Sequence, residues 1–131
     1  MKIVVDANVL FSLCKPDSTT NLIFNKLKLQ LFAPYFALRE LAKYKNKLLE
    51  KSREGDFKTL TAKLKTKVSF LNEIEYKEEI EQVEKLISDP KDIAYLAPSI
   101  RLNASILSDD PHFKEQNLIQ VFTTKDLIFL L

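Results

Sequence analysis

The feature that most constrains the fold is a short β-branched run near the N-terminus that ends in an acid. Ile3, Val4 and Val5 are followed directly by Asp6. A continuous apolar run of this length is typical of a strand buried on both faces, as in a parallel sheet. Sheets of α/β proteins place ligands at the carboxyl ends of their strands, so Asp6 is predicted to lie at such an edge.

Strands and helices are predicted to alternate along the chain. The expected strands are residues 2–5, 29–33, 104–107 and 118–122. Helices are expected at residues 8–13, 37–48, 57–68, 74–87 and 124–131, with one more after the caps at 17–19. A further helix has Asp89 as N-cap and Pro90 as its first residue. Strands separated by helices imply an α/β fold with a parallel sheet and right-handed crossovers.

Length and composition limit the classes of protein. At 131 residues with 46% hydrophobic content, the chain is expected to form one domain, residues 1–131. The 20 Lys+Arg and 18 Asp+Glu give a net charge of +2, so bulk charge does not mark a nucleic-acid binder. Cys14 is the only cysteine, which favours a reducing, cytoplasmic location. We expect no signal peptide, because Asp6 interrupts the first apolar run, and no membrane span.

Four carboxylates stand at or near predicted element ends: Asp6, Glu40, Asp92 and Asp110. Each has a purely structural alternative. Asp6 and Asp110 would serve as N-caps, and Asp92 lies in the first turn of a helix, where the helix dipole favours an acid. Glu40 would be a solvated helix residue, although it borders the apolar stripe. A capping role alone is preferred for three other acids, Asp89, Asp109 and Asp126.

A divalent-metal site explains the four acids together. Mg²⁺ and Mn²⁺ prefer oxygen ligands, usually a few carboxylates with waters. Several acids in one cleft repel one another when no cation is present, and a bound cation removes that cost. Such a site suits phosphodiester hydrolysis, because a cation polarises the phosphoryl oxygen and activates water.

Four segments that contain these acids resemble the motifs of the PIN-domain ribonucleases, in the family's order and over essentially the whole chain. The segments are KIVVDANVL at 2–10, LRELA at 38–42, DPKDIAYLA at 89–97 and ILSDDPHF at 106–113. In the last of these, Asp110 is the better match to the family's acid and Asp109 is its neighbour. Each motif alone is weak, and the set is fairly specific.

The resemblance implies a three-layer α/β/α sandwich with a central, mainly parallel sheet. It also implies a Mg²⁺- or Mn²⁺-dependent site that cleaves single-stranded RNA. The acidic cluster would be Asp6, Glu40, Asp92 and Asp110, supported by Asn8 and Ser108. Many small members are toxins of VapC-type pairs, held inactive by an antitoxin, and many dimerise. We therefore expect an antitoxin partner and a homodimer. One departure is Pro98, which should kink or shorten the helix after Asp92.

A lysine-rich stretch at residues 43–67 precedes an acid-rich stretch at residues 73–92. One interpretation is two solvated helix faces, paired with each other. The other is a basic arm beside the acidic cleft that grips an RNA backbone through Lys43, Lys58, Lys63 and Lys65. His112 is the only histidine, so a zinc site is not expected and a surface role is preferred. Cys14 is interpreted as a buried small residue.

The leading hypothesis is a metal-dependent endoribonuclease. Asp6, Asp92 and Asp110 would hold one or two Mg²⁺ or Mn²⁺ ions, and Glu40 would complete the set or orient the attacking water. Products would carry 5′-phosphate and 3′-hydroxyl ends, because water rather than the ribose 2′-hydroxyl attacks. The alternative is a catalytically silent PIN-like module that binds RNA or a protein. A third hypothesis is a metal-dependent phosphatase or 5′-nuclease on the same fold class.

Overall fold

The computed structural model describes all residues, 1–131. The five strands are β1 Lys2–Val5, β2 Gln30–Pro34, β3 Val68–Leu71, β4 Ser105–Leu107 and β5 Val121–Phe122. The eight α-helices are α1 Ala7–Leu13, α2 Thr19–Leu27, α3 Tyr35–Ala42, α4 Lys45–Ser52, α5 Phe57–Lys67, α6 Lys77–Val83, α7 Pro90–Leu102 and α8 Thr124–Ile128. Two 3-10 turns lie at Glu73–Tyr76 and Pro111–Glu115.

The strands form one sheet in the order β3-β2-β1-β4-β5, and every pairing is parallel. The central strand is β1, and its Ile3, Val4 and Val5 side chains are fully buried. Strands buried on both faces require continuous apolar runs, which explains why this segment does not alternate between apolar and polar residues. The predicted α/β/α sandwich with a central parallel sheet is confirmed.

Helices cover the sheet and supply the rest of the core. Helix α7 lies across β1, β2 and β4 and packs against α6. Helix α1 packs against α2 and α3, and α2 contacts α8. Asp89 accepts a hydrogen bond from the backbone N–H of Lys91, and Pro90 is the first residue of α7, both as predicted. None of the helices is long and apolar enough to cross a membrane.

Strand β3 is absent from the sequence prediction, which extends a helix to Val68. Helix α5 ends at Lys67, and Val68 already has extended backbone angles. No glycine or proline marks this junction. Pairing with β2, which aligns Val68 with Leu31 and Leu71 with Pro34, fixes the segment as a strand. Short apolar segments are decided by their tertiary partners rather than by intrinsic propensity.

Three predicted helices differ from those observed. Residues 37–48 form parts of two helices, because the chain leaves helical geometry at Tyr44 between α3 and α4. Residues 74–87 begin in a 3-10 turn, and α6 ends at Val83. Of the two expected effects of Pro98, a kink or a shortened helix, the shortening does not occur, since α7 continues to Leu102. Pro98 removes one N–H from the helix ladder, and the neighbouring Ser99 hydroxyl donates to the Tyr95 carbonyl at 2.7 Å.

Candidate functional site

An acidic cleft opens at the carboxyl edge of the sheet, where β1, β2 and β4 pass into the following segments. Its volume is about 150 Å³, and it is lined by Asp6, Ala7, Asn8, Glu40, Tyr44, Lys91, Tyr95, Asp110 and Phe113. Three of the four predicted acids line it together, as does the predicted support Asn8. This position agrees with the general location of ligand sites in open α/β sheets.

The sheet register explains how Asp6 meets Ser108. Val5 of β1 pairs with Leu107 of β4, so the next residues of the two strands lie side by side. The Ser108 hydroxyl donates to Asp6 Oδ2 at 2.5 Å, and the Val9 backbone N–H donates to Asp6 Oδ1 at 2.9 Å. Asp6 therefore caps α1, so the capping role and a place in the acidic cleft hold together.

The surroundings of Asp6 disfavour the charged form of its carboxyl. It is buried, and burial raises the pKa of its carboxyl above the usual value, with a further rise from the charges of Asp109 and Asp110. Hydrogen bonds from Ser108 and Val9 lower that pKa but do not cancel the effect of burial. Desolvation disfavours a charged carboxylate unless an opposite charge compensates it.

Asp110, rather than Asp109, belongs to the acidic cleft. Its backbone N–H donates to the Ser108 hydroxyl at 3.1 Å, and its Oδ1 accepts from the His112 N–H at 3.0 Å, which caps the 3-10 turn. Asp109 turns away. Its two carboxylate oxygens accept from the backbone N–H and the hydroxyl of Thr124, both at 2.7 Å. Ser108 thus joins Asp6 and Asp110 in one hydrogen-bonded unit.

Glu40 reaches the acidic cleft from α3, directly after β2. Its Oε1 accepts from Lys43 Nζ at 3.0 Å, one turn along the same helix. The Lys43 side chain is 66% exposed and that of Glu40 24%, so solvent reaches this pair mainly from the lysine side. Exposed ion pairs of this kind contribute about 0–1 kcal/mol, so Glu40 is held weakly in this orientation.

Asp92 does not line the acidic cleft. Its Oδ2 lies 2.7 Å from Nε2 of His112, and both residues line a neighbouring hollow. The preceding residue, Lys91, lines the cleft instead. The contact between Asp92 and His112 raises the pKa of His112, first through the hydrogen bond and then through the Asp92 charge. Asp89, Asp92 and His112 have ligand atoms within 4.8 Å of one another, an arrangement that the sequence pattern did not predict.

Tyr95 is a cleft residue that sequence reasoning missed. Its ring is fully buried and meets Phe36 and Phe113 edge-on, at centroid distances of 5.9 and 5.7 Å. Its hydroxyl has no hydrogen-bond partner. Burial, followed by the charges of Asp6 and Glu40, raises the pKa of this phenol. Its position three residues after Asp92 on α7, at helical spacing, was the available signal.

The side chains that line the acidic cleft are of the types that bind a hard divalent cation, although the group with ligand atoms already within 4.8 Å of one another is Asp89, Asp92 and His112. Its side-chain donors are mainly oxygen atoms, as Mg²⁺ and Mn²⁺ prefer, and they come from Asp6, Asn8, Glu40, Tyr95 and Asp110. A cation would offset the desolvated charge of Asp6 and its repulsion by the neighbouring acids.

The four predicted RNA-binding lysines lie outside the acidic cleft, on the surface of residues 43–67, here called the basic arm. Lys43 pairs with Glu40, and Lys63 pairs with Glu54. Lys65 Nζ lies 5.8 Å from the centroid of the Tyr35 ring, and Lys58 is exposed. None of the ion pairs joins this arm to the acid-rich residues 73–92, so the interpretation in which the two stretches pair with each other has no ion pair to support it.

The largest hollow, about 740 Å³, is a separate groove beside the acidic cleft. Its apolar wall includes Tyr35, Phe36 and Tyr76, and Arg39 adds one cation. None of the four predicted acids lines it. Three of the predicted carboxylates therefore come together in the smaller cleft and not in this groove. Cys14 lies apart from both, and burial raises the pKa of its thiol to about 11, in agreement with an inert buried residue.

Comparison with solved structures identifies the same fold elsewhere. The structure of VapBC2 from Rickettsia felis bound to a DNA fragment from their promoter matches with a TM-score of 0.62 and 16% identity, over 94% of this chain and 98% of that chain. VapBC-1 from nontypeable Haemophilus influenzae matches with a TM-score of 0.58 and 15% identity, over 95% and 99% of the two chains. At these identities the likeness establishes a shared fold. No curated protein matches significantly.

A sequence match gives the family. The family model for the PIN domain matches residues 4–127, which include all four acids and all but the first two residues of their segments. The resemblance found in the short motifs therefore extends over nearly the whole chain. The parallel sheet order and the acids gathered at its carboxyl edge agree with that match. The chain belongs to the PIN domain family.

Proposed function

We propose that the chain is a metal-dependent endoribonuclease that hydrolyses single-stranded RNA. The observation that carries the proposal is the hydrogen-bonded unit of Asp6, Ser108 and Asp110, with Glu40 in the same cleft. Hydrogen bonds at adjacent strand ends fix two carboxylates, one of them buried at a cost. A protein that keeps a desolvated acid in an open cleft gains most from it when a cation binds there.

The residues have distinct roles in this proposal. Asp6 and Asp110 hold Mg²⁺ or Mn²⁺. Ser108 orients the Asp6 carboxylate and anchors the Asp110 backbone, and the His112 N–H orients the Asp110 carboxylate. Asp92 joins after its carboxylate leaves His112, and Glu40 completes the set or orients the attacking water. When bound, the cation supplies positive charge that polarises the scissile phosphate. Attack by water instead of the ribose 2′-hydroxyl leaves 5′-phosphate and 3′-hydroxyl ends.

The proposed partners follow from the family and from the structural relatives. Both relatives described above are VapBC structures. We propose by analogy that this chain is the toxin of a cytoplasmic toxin–antitoxin pair, that an antitoxin holds it inactive, and that it forms a homodimer. Analogy of fold is a weaker argument than site chemistry. These proposals are therefore separate from the nuclease proposal.

A catalytically silent PIN-like module is the second candidate. The observation that favours it is the pairing of two predicted ligands with basic side chains of the chain itself, Glu40 with Lys43 and Asp92 with His112, which is a cation when protonated. Such pairs neutralise acids without a metal ion. A silent module would bind RNA equally well in EDTA and in Mn²⁺ and would leave it intact.

Cleavage of a circular single-stranded RNA tests the proposal. An endonuclease opens the circle, whereas a 5′-nuclease or a phosphatase does not. We expect opening in Mn²⁺, none in EDTA, and recovery when Mn²⁺ is added back, with 5′-phosphate ends on the products. Asp110→Asn should lose cleavage, and the matched control Asp109→Asn should keep it. Undiminished cleavage in EDTA, or equal effects of the two substitutions, would contradict the proposal.

A further inference from the structure

Tyr95 presents a buried hydrogen-bond donor that nothing in the fold uses. Its hydroxyl lies in the wall of the acidic cleft, is withdrawn from solvent and has no partner. Buried polar side chains are nearly always hydrogen-bonded, so an unpaired one indicates an unseen ligand or a second conformation. The backbone N–H of Ala7 lies near this oxygen but outside hydrogen-bond geometry, and as a donor it offers no acceptor for the phenolic proton.

The ring of Tyr95 is fixed, so the acceptor has to come to the hydroxyl. Phe36 and Phe113 hold the ring edge-on from two sides. The carboxylates whose charges act on the phenol are those of Asp6 and Glu40. Asp6 already accepts from Val9 at one oxygen and from Ser108 at the other. Glu40 is the carboxylate with a free oxygen.

Glu40 is also the carboxylate that is easily moved. Its only hydrogen-bond partner is Lys43, through an exposed pair in which only Oε1 is engaged. Exposed pairs of this kind add little stability, since solvent screens them and long side chains lose entropy in forming them. A positive charge in the cleft would compete with Lys43 for this carboxylate.

We propose that Tyr95 is a positioning residue whose hydroxyl donates to the Glu40 carboxylate when Glu40 leaves Lys43 and turns into the cation-loaded cleft. This inference rests on the proposed metal-dependent function. Glu40 then has two positions: paired with Lys43 in the empty cleft, and oriented by Tyr95 in the loaded one. The hydroxyl lacks a partner in the first state because its acceptor arrives only in the second.

The inference is tested by Mn²⁺ binding and by thermal unfolding of Tyr95→Phe, a substitution that keeps both ring contacts. In EDTA the variant should melt at or above the wild-type temperature, because an unpaired buried hydroxyl is removed. Its Kd for Mn²⁺, measured calorimetrically, should rise about 10- to 100-fold, as for other residues that orient a metal ligand. Tyr76→Phe, at a buried tyrosine outside the cleft, should leave that Kd unchanged.

A double-mutant cycle identifies the acceptor. In a Glu40→Ala background, Tyr95→Phe should have little further effect on the Kd for Mn²⁺, because the first change removes the acceptor and the second the donor of the same hydrogen bond. Additive effects would overturn the assignment to Glu40. Wild-type affinity in Tyr95→Phe would overturn the inference while leaving the nuclease proposal intact. Absence of Mn²⁺ binding by the wild-type protein would overturn both.

Discussion

Asp6 in the acidic cleft and Asp56 in the basic arm have the same local role in two very different regions. Each is an N-cap with extended backbone, and each accepts from the N–H three residues later: Val9 at 2.9 Å for Asp6, and Thr59 at 2.8 Å for Asp56. From the sequence both positions are explained by helix capping. Their surroundings separate them.

Burial gives the two caps opposite electrostatic consequences. Asp56 is exposed, and its backbone and side-chain hydrogen bonds from Thr59 lower the pKa of its carboxyl. Asp6 lies beneath the sheet edge, where burial raises the pKa despite similar hydrogen bonds. A solvent-exposed N-cap carboxylate stabilises its helix at little desolvation cost. A buried N-cap carboxylate has a desolvation cost that capping alone does not explain. This contrast supports the proposal that Asp6 is a functional acid.

The largest expected effect is on RNA cleavage. Asp6→Asn should lower the cleavage rate in Mn²⁺ by more than about a hundredfold, because residues that merely support metal ligands are already worth about 10- to 100-fold. Asp56→Asn should leave the rate unchanged. The measurement is single-turnover cleavage of a labelled RNA by both variants. Comparable losses in the two would break the distinction between the regions.

An intermediate effect is expected on stability as pH changes. Because the Asp6 pKa is raised in the folded protein, its contribution is present below the unfolded value of about 3.9 and is lost as pH rises through the folded pKa. Asp6→Asn should therefore gain stability over the wild type as pH rises. The Asp56 pKa is lowered, so its contribution is present above about 3.9 and is lost as pH falls through the folded pKa.

Urea unfolding of both variants in EDTA, over a series of pH values, measures these opposite slopes. At neutral pH we expect Asp56→Asn to be less stable than the wild type and Asp6→Asn to be no less stable. If Asp6→Asn is destabilised as much as Asp56→Asn at every pH, Asp6 is only a cap.

The smallest expected effect concerns RNA affinity and the basic arm. Reversal of Lys58, Lys63 and Lys65 to Glu should weaken RNA binding and flatten its salt dependence, by a slope of about 0.7 for each RNA phosphate that the arm no longer neutralises. The control is the same reversal at the amino-terminal edge of the sheet, opposite the cleft, at Lys2, Lys26 and Lys28. Equal effects of the two sets would return the arm lysines to an ordinary solvated surface.

Local chemistry was sufficient to predict the central strand, its terminal acid and the start of α7. The run from Ile3 to Val5 is too apolar to be exposed, and Asp89 followed by Pro90 is a strong helix-start signal. These features do not depend on residues that are distant in the sequence. Strand β3 does depend on a distant segment, because Val68 becomes extended only when β2 offers unpaired backbone groups. The break between α3 and α4 at Tyr44 was not predicted either, because no glycine or proline marks it in the sequence.

The sequence by itself determined which side chains reach the carboxyl edge of the sheet, since strand order along the chain and parallel pairing bring Asp6, Glu40 and Asp110 there. Only the tertiary structure decided how deeply they are buried and which groups they hydrogen-bond to. The register of β1 against β4 placed Ser108 on Asp6, and the 3-10 turn after Asp110 brought His112 to Asp92. Burial raises the pKa of Asp6, which distinguishes it from an exposed cap. The Tyr95 hydroxyl is buried without a hydrogen-bond partner. Desolvation depends on all the atoms that surround a group, and a linear pattern of residues does not contain that information.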